Sequence, residues 1–364
     1  RKARKNAPFE TVFIGGGNPG SLSIKQLREL LINIGPSNET TFEINPESYC
    51  SNFEEYNKIF KEGLATRLSM GIQSVNDVTL KTLGRNATRT INLKALALMR
   101  EVTSIKINRA SNYFLYNNLY KEAQVPHIEH IETSLDLMSC IPGQSLEMAK
   151  TDINFVKRIA NPNHISLYCL TVEEGTTLKN RVDDNSLTVM SDEEQGTHLN
   201  SLWEYLNQEG YSHYEISNFE KNDKECKHNM RYWNLDSSIG LGSHSASTLF
   251  NKKGELIRLY QDTTFNEYIK NELFTNYERE ILDLDKRFEE YLIVALRTKE
   301  GLSKKVLAHK YRISNAKLSK MLQEIDRKYF SENEEFVFLN EKGFMLLDSI
   351  TLSLSMAYDK LKVR

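Results

Sequence analysis

Residues 11–14 (TVFI) run straight into Gly15, Gly16, Gly17, Asn18 and Pro19. The β-branched apolar run reads as a strand. Three glycines at its end leave the main chain without side chains, so a ligand can approach the backbone closely. Such a turn presents bare amide N–H groups, which suit the carboxylate or ribose of a small polar cofactor. The run is not GxGxxG and no GK[ST] follows it, so the usual nucleotide fingerprints do not apply. A plain tight turn explains the glycines equally well until the rest of the chain is read.

The 364 residues have room for one large domain and a smaller one. Strand-like runs at 11–15, 40–45, 67–72, 133–138 and 164–171 alternate with helical patterns at 23–34, 52–62, 77–83, 91–101, 146–159 and 192–209. Ser23 and Ser145 stand as N-caps, each with an acidic or amide residue in the turn that follows. Strand–helix alternation with short turns predicts a parallel sheet or barrel, whose active face lies where strands end and βα-loops begin. Those ends are residues 15–18, 43–45, 69–73, Asp136 and 168–173, and each is polar or glycine-rich. Residues 102–132 break the pattern with an aromatic and polar stretch of no clear period, read as an insertion, a lid or a discontinuity.

After about residue 250 the alternation stops. Residues 251–285 read as a linker. A helix at 288–297, two short helices at 303–311 and 314–325, a strand at 336–339 and a helix at 342–354 then give a small winged-helix-like α+β domain. A DNA-binding role would set Lys304, Lys305, Lys317 and Lys320 against phosphates, but Glu332, Glu334 and Glu335 in the would-be wing oppose it. A capping domain is the better reading. The net charge of −2 supplies no field for nucleic acid or membrane. No apolar stretch approaches the roughly 20 residues needed to span a bilayer. The basic opening (Arg1, Lys2, Arg4, Lys5) lacks the apolar core of a signal peptide. Cys50, Cys140, Cys169 and Cys226 form no CxxC pair and read as reduced cytoplasmic thiols.

Nine motifs carry a family resemblance: GGGNPGSLS (15–23), EINP (43–46), RLSMGIQS (67–74), LGR (83–85), SLDLMSCIPGQS (134–145), HISLYCLTVEEGT (164–176), YEISNF (214–219), CKHNMRYW (226–233) and LRTKEG (296–301). In this order they resemble the oxygen-independent coproporphyrinogen oxidase-like branch of the radical S-adenosylmethionine (SAM) proteins, its haem-chaperone members above all. The resemblance implies a partial (β/α)6 TIM-like barrel over residues 1–250, with the C-terminal domain at 286–364. It implies SAM across the barrel mouth. Gly16, Gly17 and Asn18 would line its methionine end, and Glu43 would meet the amine or ribose. Gln73 and Arg85 would hold ribose and carboxylate, Asp136 would take a ribose hydroxyl, and Thr171 would border the adenine. It also implies haem as ligand: chaperone-type members carry HNxxYW, here His228, Asn229, Tyr232 and Trp233, with His228 as the iron ligand and Cys226 as an alternative thiolate.

The same resemblance implies a [4Fe–4S] cluster on a CxxxCxxC loop, for which this sequence has no match. That loop and the first barrel strand would lie ahead of Arg1, so radical catalysis by this chain as it stands is not expected. Smaller departures are Asn18 for the usual Thr, Ala87 for a His, Cys140 for a Gly, and GLGSHSAS (240–247), which leaves the register of His244 open. The expected function is haem binding and delivery to haem proteins. The alternatives are SAM-radical decarboxylation of coproporphyrinogen III and a cluster-less binding relative.

Overall fold

The structure is a computed structural model that describes residues 9–107, 128–252, 254–261, 264–270 and 277–362. The basic opening and most of the expected insertion lie outside the described residues. Within the expected insertion, its two described ends meet in an antiparallel bridge between Lys106 and His130. The chain divides into two compact units, Arg1–His213 with Ser217–His228, and Tyr214–Ile216 with Asn229–Arg364.

In the first unit β1 (Thr11–Ile14), α1 (Ile24–Ile34), β2 (Glu39–Ile44), α2 (Pro46–Ser51), α3 (Phe53–Lys61) and β3 (Arg67–Gln73) follow in order. Then come α4 (Asp77–Thr82), α5 (Arg89–Thr103), β4 (Glu132–Ser139), α6 (Leu146–Ile159), β5 (His164–Cys169), α7 (Thr177–Asp183) and α8 (Asp192–Gln208). Short strands β6 (Ser212–Glu215) and β7 (Asn218–Glu220) precede α9 (Lys227–Trp233). The sheet order is β1-β2-β3-β4-β5-β7-β6. Strands β1 to β5 pair in parallel, and β7 joins β5 antiparallel. This is the expected partial barrel, with sequential neighbours joined by helical crossovers.

Along these strands apolar residues alternate with polar ones, so one face of each strand is apolar. Phe42, Ile44, Leu68, Met70, Ile72, Leu135, Leu137, Ile165 and Leu167 are all buried. Each such side chain contributes about 1.5–3 kcal/mol. The helices add Leu27 and Leu31 from α1, Leu96 and Met99 from α5, and Ile153 and Val156 from α6. Both expected caps are present: Ser23 forms a capping box with Gln26, and Ser145 accepts from the Met148 amide. Helix α2 was not foreseen. Its signal is Pro46 at the first helical position, where a missing N–H costs nothing.

The second unit departs from expectation between 251 and 285. Strands β8 (Ser245–Phe250), β9 (Leu256–Gln261) and β10 (Glu278–Leu282) make an antiparallel sheet in the order β10-β9-β8, with α10 (Phe265–Lys270) in the β9–β10 connection. The supposed linker therefore carries two strands. Edge strand β10 reads EREIL, and its charges hide the pattern while discouraging edge pairing. Next come α11 (Leu284–Leu296), β11 (Leu302–Ser303), α12 (Lys304–Tyr311), α13 (Asn315–Leu322), β12 (Phe330–Glu332), β13 (Phe336–Leu339), α14 (Glu341–Phe344) and α15 (Leu347–Lys360). The small sheet β11-β13-β12 completes the winged-helix-like plan. Two of the four lysines of the DNA-binding reading are engaged: Lys304 pairs with Glu332 at 3.0 Å, and the Lys317 ammonium lies 4.5 Å from the Tyr358 ring centre. Among the described residues no helix is long and apolar enough to cross a membrane.

Candidate functional site

The first site is built from the C-terminal ends of β1 to β5. Gly16 and Gly17 have φ of 77° and 60°, and a Cβ at either would meet nothing within 4 Å. The turn thus presents an open backbone cradle of the kind the sequence predicts. Gly15 differs, because a Cβ there would fall 2.5 Å from the Glu43 carboxylate oxygen. Glu43 accepts a hydrogen bond from the Gly16 amide. Two residues expected to meet the cofactor therefore bind each other, and a ligand taking both would exchange for that bond. Asn18 has a local role as well, its side chain accepting from the Gly20 amide at 3.0 Å.

Burial raises the pKa of Glu43, and the nearby charge of Asp136 raises it further. Asp136 is itself pushed up to about 6 by burial, opposed by a hydrogen bond from Ser166 and by the charges of Arg67 and Arg85. Strand register explains the company: Gly71 pairs with Asp136 and Asp136 with Ser166 across β3, β4 and β5. Two carboxyls whose pKa values are both raised, the Asp136 carboxyl lying within reach of two guanidinium charges, suit a ligand carrying both an ammonium and hydroxyls. Arg85 is exposed on the turn after α4, within electrostatic reach of Asp136.

Gln73 ends β3 with a φ of 64°, a left-handed value rare for a residue with a side chain. A bulge between Gly71 and Gln73 produces it, and Gly71 leaves the room: a Cβ there would lie 2.7 Å from Gln73 Nε2. Buried Asn92 of α5 clamps the bulge by donating to the carbonyls of Ile72 (3.0 Å) and Ser74 (2.8 Å). Sequence reasoning missed Asn92; a buried amide on an otherwise apolar helix face was its signal. Thr171 lies exposed beyond β5, and nothing described brings it to the other site residues.

The second site is the α9 segment. His228 Nδ1 is 2.9 Å from Thr11 Oγ1, and its ring lies 5.4 Å from the Phe13 ring. Burial lowers its pKa, with the Glu39 charge opposing, so the imidazole is neutral at neutral pH. Buried Glu39 accepts from the amides of Lys227 and His228, both at 3.0 Å, and from the Cys226 thiol at 3.6 Å. Cys226 is buried and acts as a donor to a carboxylate. The Cys226 sulfur, expected as an alternative thiolate ligand, is thus engaged with Glu39. Neither Thr11 nor Glu39 was singled out by sequence.

Asn229, Tyr232 and Trp233 belong to the second unit. Asn229 is half-buried, and Tyr232 is 44% exposed. The Arg297 guanidinium stacks 3.8 Å above the Trp233 ring while donating to fully buried Glu215 at 3.0 Å. YEISNF, NMRYW and LRTKEG thus interlock through Glu215, Trp233 and Arg297.

The four cysteines are free thiols, each with its own partners. Cys50 reaches the Ile91 carbonyl, Cys226 reaches Glu39, and Cys140 and Cys169 hydrogen-bond to Gln195 and to each other. These residues do not supply three thiolates in one place, and no step through a cluster follows from them. Among the described residues no group of three metal-ligating side chains occurs.

No family model matches the sequence. Individual relatives do. The haem chaperone HemW of Buchnera aphidicola subsp. Acyrthosiphon pisum is 30% identical over 356 residues, spanning 95% of this chain and 84% of that protein. HemW of Lactococcus lactis is 26% identical over 351 residues, spanning 94% and 83%. The zebrafish (Danio rerio) mitochondrial radical S-adenosyl methionine domain-containing protein 1 is 28% identical over 238 residues, spanning 64% and 47%. Among solved structures, coproporphyrinogen III oxidase (HemN) of Escherichia coli, a radical SAM enzyme, superposes with a TM-score of 0.68 at 16% identity, covering 95% of this chain and 77% of that one. That likeness establishes the fold. With the nine motifs in order and 30% identity along nearly its whole length, the chain belongs to the HemW family of radical SAM, coproporphyrinogen oxidase-like proteins.

Proposed function

We propose that the chain binds haem through His228 and delivers it to haem proteins. The observation that carries this is the doubly anchored, neutral imidazole: Thr11 holds Nδ1 and Glu39 holds the backbone. A histidine whose Nδ1 is fixed by a hydrogen bond ligates iron through Nε2, and the fixed orientation raises affinity. Tyr232 lies four residues on from His228, so both fall on one face of α9. Its exposed ring offers a surface for a macrocycle. Asn229 and Trp233 complete the motif.

The barrel mouth suits SAM as a second ligand. Gly16, Gly17 and Asn18 would hold the methionine end, Glu43 the amine or ribose, Gln73 and Arg85 the ribose and carboxylate, Asp136 a ribose hydroxyl, and Thr171 the adenine edge. When bound with a cluster, SAM supplies radical chemistry in complete family members. The residues of this chain bind and orient it. Oxidative decarboxylation of coproporphyrinogen III is the alternative, and HNxxYW favours the carrier.

Haem transfer tests the reading. Haem-loaded protein is mixed with an apo-haem protein while albumin scavenges free haemin, and the acceptor's Soret band is followed. The proposal expects transfer faster than from the haemin–albumin control. Transfer no faster than that control would overturn it.

A further inference from the structure

The second unit contains a cavity of about 230 Å³, and Trp233 is the one residue of the two sites above that lines it. Trp233, Tyr291, Tyr311, Arg287 and Lys310 are on its wall, with Glu300 as its one acidic residue. The lining is therefore aromatic with a net positive balance. Tyr291 and Tyr311 stack at 5.2 Å and give it a flat apolar side.

Two wall residues each hold a buried N–H without an acceptor among the described residues, Trp233 Nε1 and Arg287 Nε. On the same guanidinium, Nη1 donates to the Gly254 carbonyl at 2.9 Å. A buried donor left unmade costs about 1–3 kcal/mol, and native interiors rarely keep one. Two on the wall of one cavity, beside a cation excess, call for an anionic acceptor.

We propose that this cavity is a binding site for a carboxylate carried on a planar unsaturated frame, with Arg287 and Trp233 as donors to the carboxylate and the tyrosine pair against the frame. At about 230 Å³ it is smaller than the roughly 300–1,000 Å³ of sites that enclose a whole drug-sized ligand. The occupant is thus a small aromatic acid or one carboxylate arm of a larger planar molecule, such as a tetrapyrrole propionate. Only the tetrapyrrole source rests on the haem reading; the carboxylate chemistry does not.

Calorimetric titration of the full chain with metal-free mesoporphyrin IX, its dimethyl ester and benzoate tests this. Without iron, none of these probes needs His228 as a ligand. Were His228→Ala to leave haemin binding untouched, the haem reading would fail while this test kept its meaning. The proposal expects the porphyrin diacid or benzoate to bind, the diacid at least about tenfold tighter than its ester if the arm is the source. Arg287→Gln should weaken the bound acid about tenfold, and Lys310→Gln, at an exposed position, should weaken it less. Benzoate binding without porphyrin binding assigns the cavity to a small acid. Equal affinity for diacid and ester without benzoate binding, Arg287→Gln titrations matching wild type, or no binding of any probe, leaving ordered water only, would each overturn it.

Discussion

Glu39 and His228 are 189 residues apart, yet the Glu39 carboxylate accepts the His228 amide at 3.0 Å. The same carboxylate takes the Lys227 amide, so one buried acid at the start of β2 satisfies the first two donors of α9. Those amides have no intrahelical partner and carry the positive end of the helix dipole. The strand that builds the barrel thereby fixes the position of the candidate haem ligand.

Replacing that acid is the first consequence. Glu39→Gln keeps the shape and removes the charge, and is expected to cost about 1–3 kcal/mol by loss of charge-assisted hydrogen bonds. Chemical denaturation of both proteins checks it. A midpoint unchanged at equal slope would show that the carboxylate contributes no net stability.

The triple glycine makes a sharper contrast. Gly15→Ala drives a methyl group into the Glu43 carboxylate, whereas Gly16→Ala meets open space and bears only its positive φ. The first should cost about 1–3 kcal/mol through overpacking and the second about 1–2 through left-handed strain. The two separate in a Glu43→Ala background, where the Gly15→Ala cost should shrink and the Gly16→Ala cost should not. A double-mutant cycle on unfolding free energies measures this.

Asp136 gives a pH signature. Its folded pKa of about 6 lies above the ordinary aspartate value of 3.8, so the folded state binds its proton more tightly. That contribution is fully present below pH 3.8 and is lost as pH rises through 6; it is worth at most about 3 kcal/mol. Asp152, also raised to about 6 by burial, acts in the same direction, so the comparison is made against Asp136→Asn. Between pH 4 and 7 the wild-type melting temperature should fall relative to that variant. Parallel curves would contradict the assignment.

The barrel was legible because its physics is local. The alternation of Leu68, Met70 and Ile72 with Arg67, Ser69 and Gly71 has the two-residue period of a strand, and Ser23 and Ser145 mark helix starts within four residues of sequence. The turn at Gly15–Gly17 was legible for the same reason. Strands β9 and β10 were not, since LIRLYQ and EREIL mix charge into short runs. Within the candidate site, sequence named the residues expected to meet a ligand and missed those that hold them in place. Thr11, Glu39 and Asn92 act across 217, 189 and 18–20 residues respectively, and no local spacing encodes such pairs. Arg297 and Glu215 each lay in a recognised motif, but only the fold shows that they meet beside Trp233.

The central claim is that His228 ligates haem iron. Haemin titration of the wild-type chain and His228→Ala, followed by the Soret band, addresses it most directly. The account predicts saturable binding by wild type with a histidine-ligated spectrum, and in the variant the loss of that band with at least about a tenfold weaker affinity, or about 1.4 kcal/mol. Superimposable titrations and spectra would contradict it.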